Sequence, residues 1–475
     1  MQRQSSLSYL FMLILALFTV TGAAFGQIES GTLSGTVSDH AGARIANAKV
    51  TITDVGTNLS QTVQTGPEGS FHFAQLKPST YRLSIAASGF KEGVLSGIVL
   101  HSQDNLAEEI KLEVGSSGEQ ISVDAQTEQL ETSNAISTTV DRKFIENMPL
   151  NGRSFQALIA LTPGNVTAKT YYTNSGQFSV NGQRTDANYF SIDGVSANVG
   201  ITQGSNVYLG TAGGGSAQAT SNNGGYNNLV SVDAMQEYKM QSSTFDAEYG
   251  RTTGAQLSIV TRSGTNQFHG KVFEYLRNDV FDANNWFNNN AGLPRTAERQ
   301  NDFGGVFGGP IFRDKMFFFG SYEGLRLRVP YSRKDYVPTT YARNCATASV
   351  APLVNAYALP SKGYDYTNSD CSNVAAEDAP FTNFVGTFNA TFSDPSTLNA
   401  TSVRLDYSPI PKLNLFVRGV YAPSNGSQYG AFDFYTRSTL SHTISNVDTI
   451  TAGATYIVSS TKVNDFRFNI SHSKG

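Results

Sequence analysis

The sequence predicts a mainly β protein: a small β-sandwich, then an α+β unit, then the start of an antiparallel transmembrane β-barrel. Three observations predict it. Residues 27–115 alternate apolar and polar side chains between closely spaced turns. Residues 129–264 mix short helical patterns, stopped by prolines, with short apolar strands. Residues 265–475 alternate over longer runs, and short turns there take turns with long connections.

The amino terminus sets the compartment. Arg3 precedes an apolar run from Leu10 to Val20, followed by Ala24-Phe25-Gly26, small residues flanking a cleavage-type site. The run is too short for a spanning helix, which needs ~20 residues, and it suits a signal peptide over 1–26. An uncleaved N-terminal anchor is the alternative. No later segment reads as a transmembrane helix, so membrane insertion would require a β-barrel. Charged residues are 15% and the formal net charge is −4. That leaves no basic excess to suggest a nucleic-acid partner.

In 27–115, Gly35-Thr-Val-Ser-Asp39 and Ala48-Lys-Val50 mark two strands around a tight turn. Gly66-Pro-Glu-Gly69 turns into Phe71-His-Phe73, and Leu76-Lys-Pro78 leads into Tyr81-Arg-Leu-Ser-Ile85. Phe71, Phe73, Tyr81, Leu83 and Ile85 keep alternate registers and are expected to fill one core. The order of these pieces resembles the carboxypeptidase regulatory-like domain, a transthyretin-like sandwich. No peptidase activity follows. None of the six histidines has Glu three residues later, and His-Glu-x-x-His is absent, so zinc chemistry lacks its ligands. Gly-x-Ser-x-Gly is also missing. The glycines of Gly264–Lys271 are spaced wrongly for a phosphate loop, and Val272 stands where Ser or Thr would hold magnesium. No cofactor, metal or catalytic residue is assigned, and no enzyme is expected.

Within 129–264, Asp141–Asn147 reads as a short helix stopped by Pro149. A second helix follows Leu150-Asn-Gly-Arg153 and runs through Leu161 to Pro163. Phe178–Val180, Tyr189–Ile192 and Leu257–Thr261 are the strand candidates, and Asp193-Gly194 makes a hairpin-type turn. Gly200 to Asn228 is rich in Gly, Asn and Ser and reads as a loop. After Ser231 a short helical pattern precedes a turn at Glu248–Arg251.

In the last part, Val403, Leu405 and Tyr407 alternate with Arg404, Asp406 and Ser408. Phe466, Phe468 and Ile470 alternate with Asp465, Arg467 and Asn469. Short turns (Phe312–Lys315, Pro409–Pro411, Ser459–Thr461) alternate with long connections (Asp279–Asn301, Val329–Ala400, Ala422–Asp448). Apolar-out alternation with short inner turns and long outer loops is the pattern of an outer-membrane barrel. A two-sided soluble β protein would alternate too, but with loops of similar length at both ends.

From Leu150 to Arg326 a series of motifs resembles the TonB-dependent outer-membrane receptors, most closely the Oar-like group. They are Leu150-Asn-Gly-Arg153, Phe178-Ser-Val-Asn-Gly-Gln-Arg184, Tyr189-Phe-Ser-Ile-Asp-Gly-Val195, Ser231 to Lys271, Phe273-Glu-Tyr-Leu-Arg-Asn-Asp279, Asn284-Asn-Trp-Phe-Asn288, Phe303 to Ile311 and Phe317 to Arg326. The resemblance implies a plug over 129–264 inside a barrel that begins at 265. It also implies a bacterial outer-membrane location with the N-terminal domain periplasmic. The implied partners are a TonB-type energy-coupling protein, outer-membrane lipid and an unidentified extracellular ligand. The implied function is energy-coupled uptake; the alternative is a surface adhesion or assembly protein without active transport.

In the linker 116–128, Gln120, Ile121, Ser122, Val123, Asp124 and Ala125 resemble a TonB box, which works by pairing its backbone with a partner's sheet edge. The same residues also read as an ordinary linker strand or as the last strand of the sandwich. Arg153, Arg184, Asp193, Glu248 and Arg251 either hold the plug to the barrel wall or form local caps and turns. Cys345 and Cys371, the only cysteines, fall in a connection assigned to the outside, and export makes a bridge between them expected. About seven strands are expected between Phe268 and His472, against about 22 in a plugged transporter. The chain is therefore expected to be a truncated amino-terminal portion.

Overall fold

The computed structural model describes residues 29–115, 120–124, 130–131 and most of 135–474. Stretches 168–177, 199–228, 361–370, 372–383 and 430–439 lie outside the described residues, as do a few shorter ones. The expected signal peptide and the 200–228 loop are therefore not described.

The first unit is a β-sandwich. Its strands are β1 (Gly31–Asp39), β2 (Lys49–Asp54), β3 (Ser60–Gln64), β4 (Ser70–Leu76), β5 (Ser79–Ala86), β6 (Glu92–Leu100), β7 (Asn105–Leu112), β8 (Gln120–Asp124) and β9 (Leu130–Glu131). They form two sheets, ordered β4-β1-β7-β9 and β3-β2-β5-β6-β8. Phe71, Phe73, Tyr81, Leu83 and Ile85 all enter one buried cluster with Leu33, Val37, Val50 and Ile98. The alternation produces this directly, since every second side chain of a strand points to the same face.

The sandwich reaches past residue 115. β8 pairs in parallel with β6, from Glu92↔Gln120 to Ser96↔Asp124, and is the edge strand of its sheet. β9 pairs with β7. Residues 120–124 of the segment expected as linker are thus sandwich strand.

The second unit, expected as the plug and called so below, comprises β10 (Ile136–Val140), β11 (Asn165–Thr167), β12 (Phe178–Val180), β13 (Tyr189–Ile192), β14 (Val195–Ser196), β15 (Met235–Ser243) and β16 (Gln256–Thr261). Helices Arg142–Asn147 and Gln156–Ile159 lie between β10 and β11. Asp141 caps the first helix, accepting from Phe144 N at 2.8 Å. The central sheet runs β10-β15-β16-β13-β14.

One expectation is corrected here. The helical pattern after Ser231 is only a 3₁₀ turn, Val232–Ala234, and then strand β15. β15 sits between β10 and β16 and is buried along most of its length. Burial on both faces removes the period-2 signal and overrides local propensity.

The third unit is a seven-stranded antiparallel meander. Its strands are β17 (His269–Asn278), β18 (Arg299–Phe312), β19 (Met316–Pro338), β20 (Val385–Ile410), β21 (Leu413–Tyr429), β22 (Leu440–Ser459) and β23 (Lys462–Lys474). Its burial is the reverse of a soluble protein's. Val403, Tyr421, Ile450, Phe466 and Ile470 are exposed, while Arg404, Asp406, Arg418, Thr451 and Glu323 are buried. No helix of the described residues is long and apolar enough to cross a membrane.

The long outer connections are shorter than expected. β19 and β20 pair from Met316↔Tyr407 out to Pro338↔Val385. A membrane strand needs only ~9–11 residues, so in a bilayer this hairpin would extend well past the span. Beyond the lipid there is no reason for apolar-out alternation, and the sequence pattern that marks strands is lost. At the other end, the short turns meet the sandwich: Asn266 Nδ2 donates to Thr57 O and to Asp314 Oδ1, both at 2.7 Å.

Candidate functional site

The site of interest is the seam where the plug meets the barrel wall and the sandwich. It starts from the β13–β14 turn. Asp193 and Gly194 both have positive φ, 50° and 81°, which a two-residue hairpin of this twist requires. Gly takes the second position without strain, and Asp is among the few side chains tolerated at the first.

The turn aims the Asp193 carboxylate at the barrel. Arg404 Nη1 donates to Asp193 Oδ1 at 2.9 Å, and Arg418 Nε approaches Oδ2 at 3.1 Å. Within the plug, Thr261 N donates to Oδ1 at 3.0 Å and its hydroxyl to Oδ2 at 2.9 Å. Burial alone would raise the Asp193 pKa. The two guanidiniums and Thr261 outweigh it and hold the carboxyl below the usual range.

Arg404 also grips Asp406, with Nε–Oδ2 2.9 Å and Nη2–Oδ1 3.1 Å. Asp406 in turn receives Lys77 Nζ at 2.7 Å. One chain of charges therefore links plug, barrel and sandwich: Asp193, Arg404, Asp406, Lys77. Glu29 lies beside it. Burial and the neighbouring Asp193 push its carboxyl up to about 8.

A second cluster centres on Asp233. Its carboxylate takes Arg153, Arg142 at 3.2 Å and the barrel's Lys271 at 3.0 Å. Burial opposes ionisation, but Arg153, Lys271 and Arg142 keep the Asp233 pKa low. The Arg153 guanidinium lies 4.1 Å from the Tyr275 ring centroid and 5.5 Å from that of Phe273, both on β17. Cation–π stacking thus adds a second plug–barrel contact.

A third cluster joins sandwich to plug. His101 Nδ1 is 2.8 Å from Glu237 Oε2, and Lys239 Nζ is 2.8 Å from Asp104 Oδ1. The hydrogen bond to Glu237 raises the His101 pKa against the opposing effect of burial, with help from the charges of Glu237, Asp104 and Asp141.

The expected residues divide unevenly. Arg153 and Asp193 reach the barrel wall. Arg184 is exposed and makes no ion pair among those described. Glu248, Arg251 and Ala125 lie outside the described residues. Gln120–Asp124 are the edge strand β8. Cys345 and Cys371 are bonded, with Cα atoms 5.3 Å apart. Sequence reasoning missed Arg418, Asp233, Lys271, His101 and Glu237 as site residues. It placed Arg404 and Asp406 on the polar row without a partner. Charges on the inward row of a membrane strand were the available signal. Among the described residues no three His, Cys, Asp or Glu side chains converge as a metal site.

Residues 260–475 match the outer membrane beta barrel domain, and residues 32–113 match the carboxypeptidase regulatory-like domain. Over 326 residues the chain is 29% identical to the TonB-dependent transporter Oar of Myxococcus xanthus. Over that stretch it is similar to a TonB-dependent transporter. The alignment covers 66% of this chain and 28% of that protein, so the chain spans under a third of the curated relative. Among solved structures, the outer membrane transporter YddB from Escherichia coli aligns with TM-score 0.45 at 11% identity, covering 70% of this chain and 38% of that one. The siderophore receptor PirA from Acinetobacter baumannii aligns with TM-score 0.36 at 11% identity, covering 71% and 48%. The barrel match and the similarity to Oar assign the β17–β23 sheet to a bacterial outer membrane.

Proposed function

We propose that the chain serves energy-coupled uptake of an extracellular ligand across the outer membrane, with a periplasmic TonB-type protein supplying the pull. The observation that supports this best is the charged seam. The plug is held to the barrel wall by Asp193 with Arg404 and Arg418, and by Lys271 with Asp233. A plug fixed for good could use apolar packing throughout. Ion pairs can be exchanged for water when a partner pulls.

The pull would enter through β8. As an edge strand it presents a free row of backbone groups to which a partner strand can add. The ligand is an unidentified molecule reaching the barrel from outside.

The test is ligand accumulation by cells expressing the full protein, with and without the TonB system and with the proton gradient collapsed. Uptake should require both. Accumulation that ignores both would remove the transport reading and leave a surface adhesion or assembly role.

A further inference from the structure

The loop between β17 and β18 carries a motif, Asn284-Asn-Trp-Phe-Asn288, that the plug seam does not use. Val280, Phe281, Trp286 and Phe287 are 68%, 83%, 68% and 75% exposed. Nowhere else among the described loops do four large apolar side chains stand out together within eight residues.

The loop is braced beneath them. Arg277 Nη1 pairs with Glu298 at 2.7 Å, and Arg295 Nη1 donates to Asp282 O at 2.7 Å. Asn288, on helix Trp286–Asn290, is buried and bonds to Asn284 and Thr296. These polar groups bond inside the loop, while the four apolar side chains stand exposed.

Height decides what they meet. The β19–β20 hairpin pairs far past the bilayer, but β17 and β18 stop at Asn278↔Arg299. The outward row of β17 continues the lipid-facing surface through Val272 and Leu276, both exposed. Glu274, between them, is the one acid of that row. Strand tilt staggers the edge of the apolar band from strand to strand, and on β17 it runs out at Leu276. Val280 and Phe281 follow within five residues. The loop therefore emerges at the rim of the band, where aromatic side chains partition between headgroups and acyl chains.

We infer that Val280, Phe281, Trp286 and Phe287 form an anchor that lies in the outer-leaflet interface beside the barrel. Its occupant is the lipid surface itself, because the patch is continuous with the lipid-facing wall. It fixes the vertical position of the first hairpin, whose inner face carries Lys271, Phe273 and Tyr275 to the plug.

Trp286 is the only tryptophan of these 475 residues, and with any tryptophan elsewhere in the full protein replaced by phenylalanine its emission reports on this loop alone. The full protein is reconstituted in phosphatidylcholine vesicles containing lipids brominated near the head of the acyl chain. Trp286 emission should be quenched about threefold or more by these lipids and little by aqueous iodide, as for an interfacial side chain. In the Phe281→Ser, Phe287→Ser double variant, lipid quenching should fall and iodide quenching should rise. Quenching by iodide alone would overturn the anchor and point to an open, ligand-accessible platform. Quenching by neither would overturn it in favour of a protein-covered patch. A second measurement uses outer membranes from expressing cells. A thiol from Phe287→Cys should react with a charged maleimide far more slowly than one from Leu353→Cys, on the outer hairpin tip. Equal rates would also sink the proposal.

Discussion

Asp193→Asn is the most direct probe of the seam. Asparagine has nearly the same shape and is well tolerated at positive φ, so the turn at φ 50° should survive. Its side-chain oxygen can still accept from Thr261 N. What disappears is the charge facing two buried guanidiniums. Arg404 keeps Asp406. Arg418, only 3% exposed, loses its carboxylate partner. Stranding a buried charge costs ~3–5 kcal/mol, and the low end applies here because Arg404 stays paired. At ~1.4 kcal/mol per tenfold, ~3 kcal/mol makes local opening of the plug at this seam about 100-fold more frequent. Hydrogen exchange of the full protein in membranes should show that loss of protection at Ile192–Val195 and Thr261, with the strands β19–β20 unchanged. Adding Arg418→Met should restore most of the protection, since removing both partners leaves no uncompensated charge. A change under about threefold in the single variant would mean that the ion pair contributes nothing net, as exposed pairs often do.

Ser122→Pro or Val123→Pro removes a backbone donor and fixes φ in β8. Uptake should be abolished while ligand binding and barrel folding persist, and Ser122→Ala should be mild; uptake that survives proline would remove β8 as the coupling strand. Melting of the sandwich in the same variant reports how much the β6–β8 pairing contributes on its own. The docking of sandwich on plug should depend on pH through His101. Its pKa is raised in the folded state, so the contribution is complete below the ordinary histidine value and is lost as pH rises through the raised one. Denaturant unfolding should thus show weaker docking at about pH 9 than at about pH 5, and His101→Gln should flatten that slope; an unchanged slope would assign it to other groups, Glu29 first. Non-reducing mass analysis of exported protein should find no free thiol, and Cys345→Ser should cost ~3 kcal/mol of local order around Thr340–Asn344; two free thiols in the wild type would count against the bridge.

The parts of this fold that were legible in the sequence share one property: a face of each strand meets water or lipid. In β4 and β5 the alternation of Phe71, Phe73, Tyr81, Leu83 and Ile85 could be read directly. So could Val403 to Ser408, because lipid on one side and a polar plug on the other still give period two. β15 could not be read, because both its faces are buried and Tyr238, Lys239 and Met240 carry no contrast. The outer half of β19 could not be read either, because it leaves the membrane. The site was partly legible. Asp193 stood out in a turn whose geometry constrains it. Its partners Arg404 and Arg418 are more than 200 residues away in sequence, and only the sheet register puts them on one inner row. Lys239 and Asp104 pair across two domains, and no local pattern encodes that contact.

The arrangement of the plug core bears on how it could move. The apolar cluster of the plug takes in Val306 and Phe319 from β18 and β19. Arg404 and Arg418, on β20 and β21, face Asp193 instead. The plug is thus bonded to β18 and β19 mainly by apolar packing and to β20 and β21 by charge, while β17 adds the Lys271–Asp233 pair and the rings under Arg153. These two seams respond differently to water. Exposing apolar surface costs roughly 25 cal/mol per Å² with nothing in return. A buried ion pair that separates regains the hydration it lost, so its net cost is small when both partners become wet together. A pull from the β8 side would therefore open the Asp193 side first and leave the Val306–Phe319 side as the hinge. Lys77 strengthens this asymmetry. It ties the sandwich to Asp406 on the opening side by an ion pair, whereas on the other side the sandwich meets Asn266 by neutral hydrogen bonds to its backbone, so displacement of the sandwich also loads the charged seam.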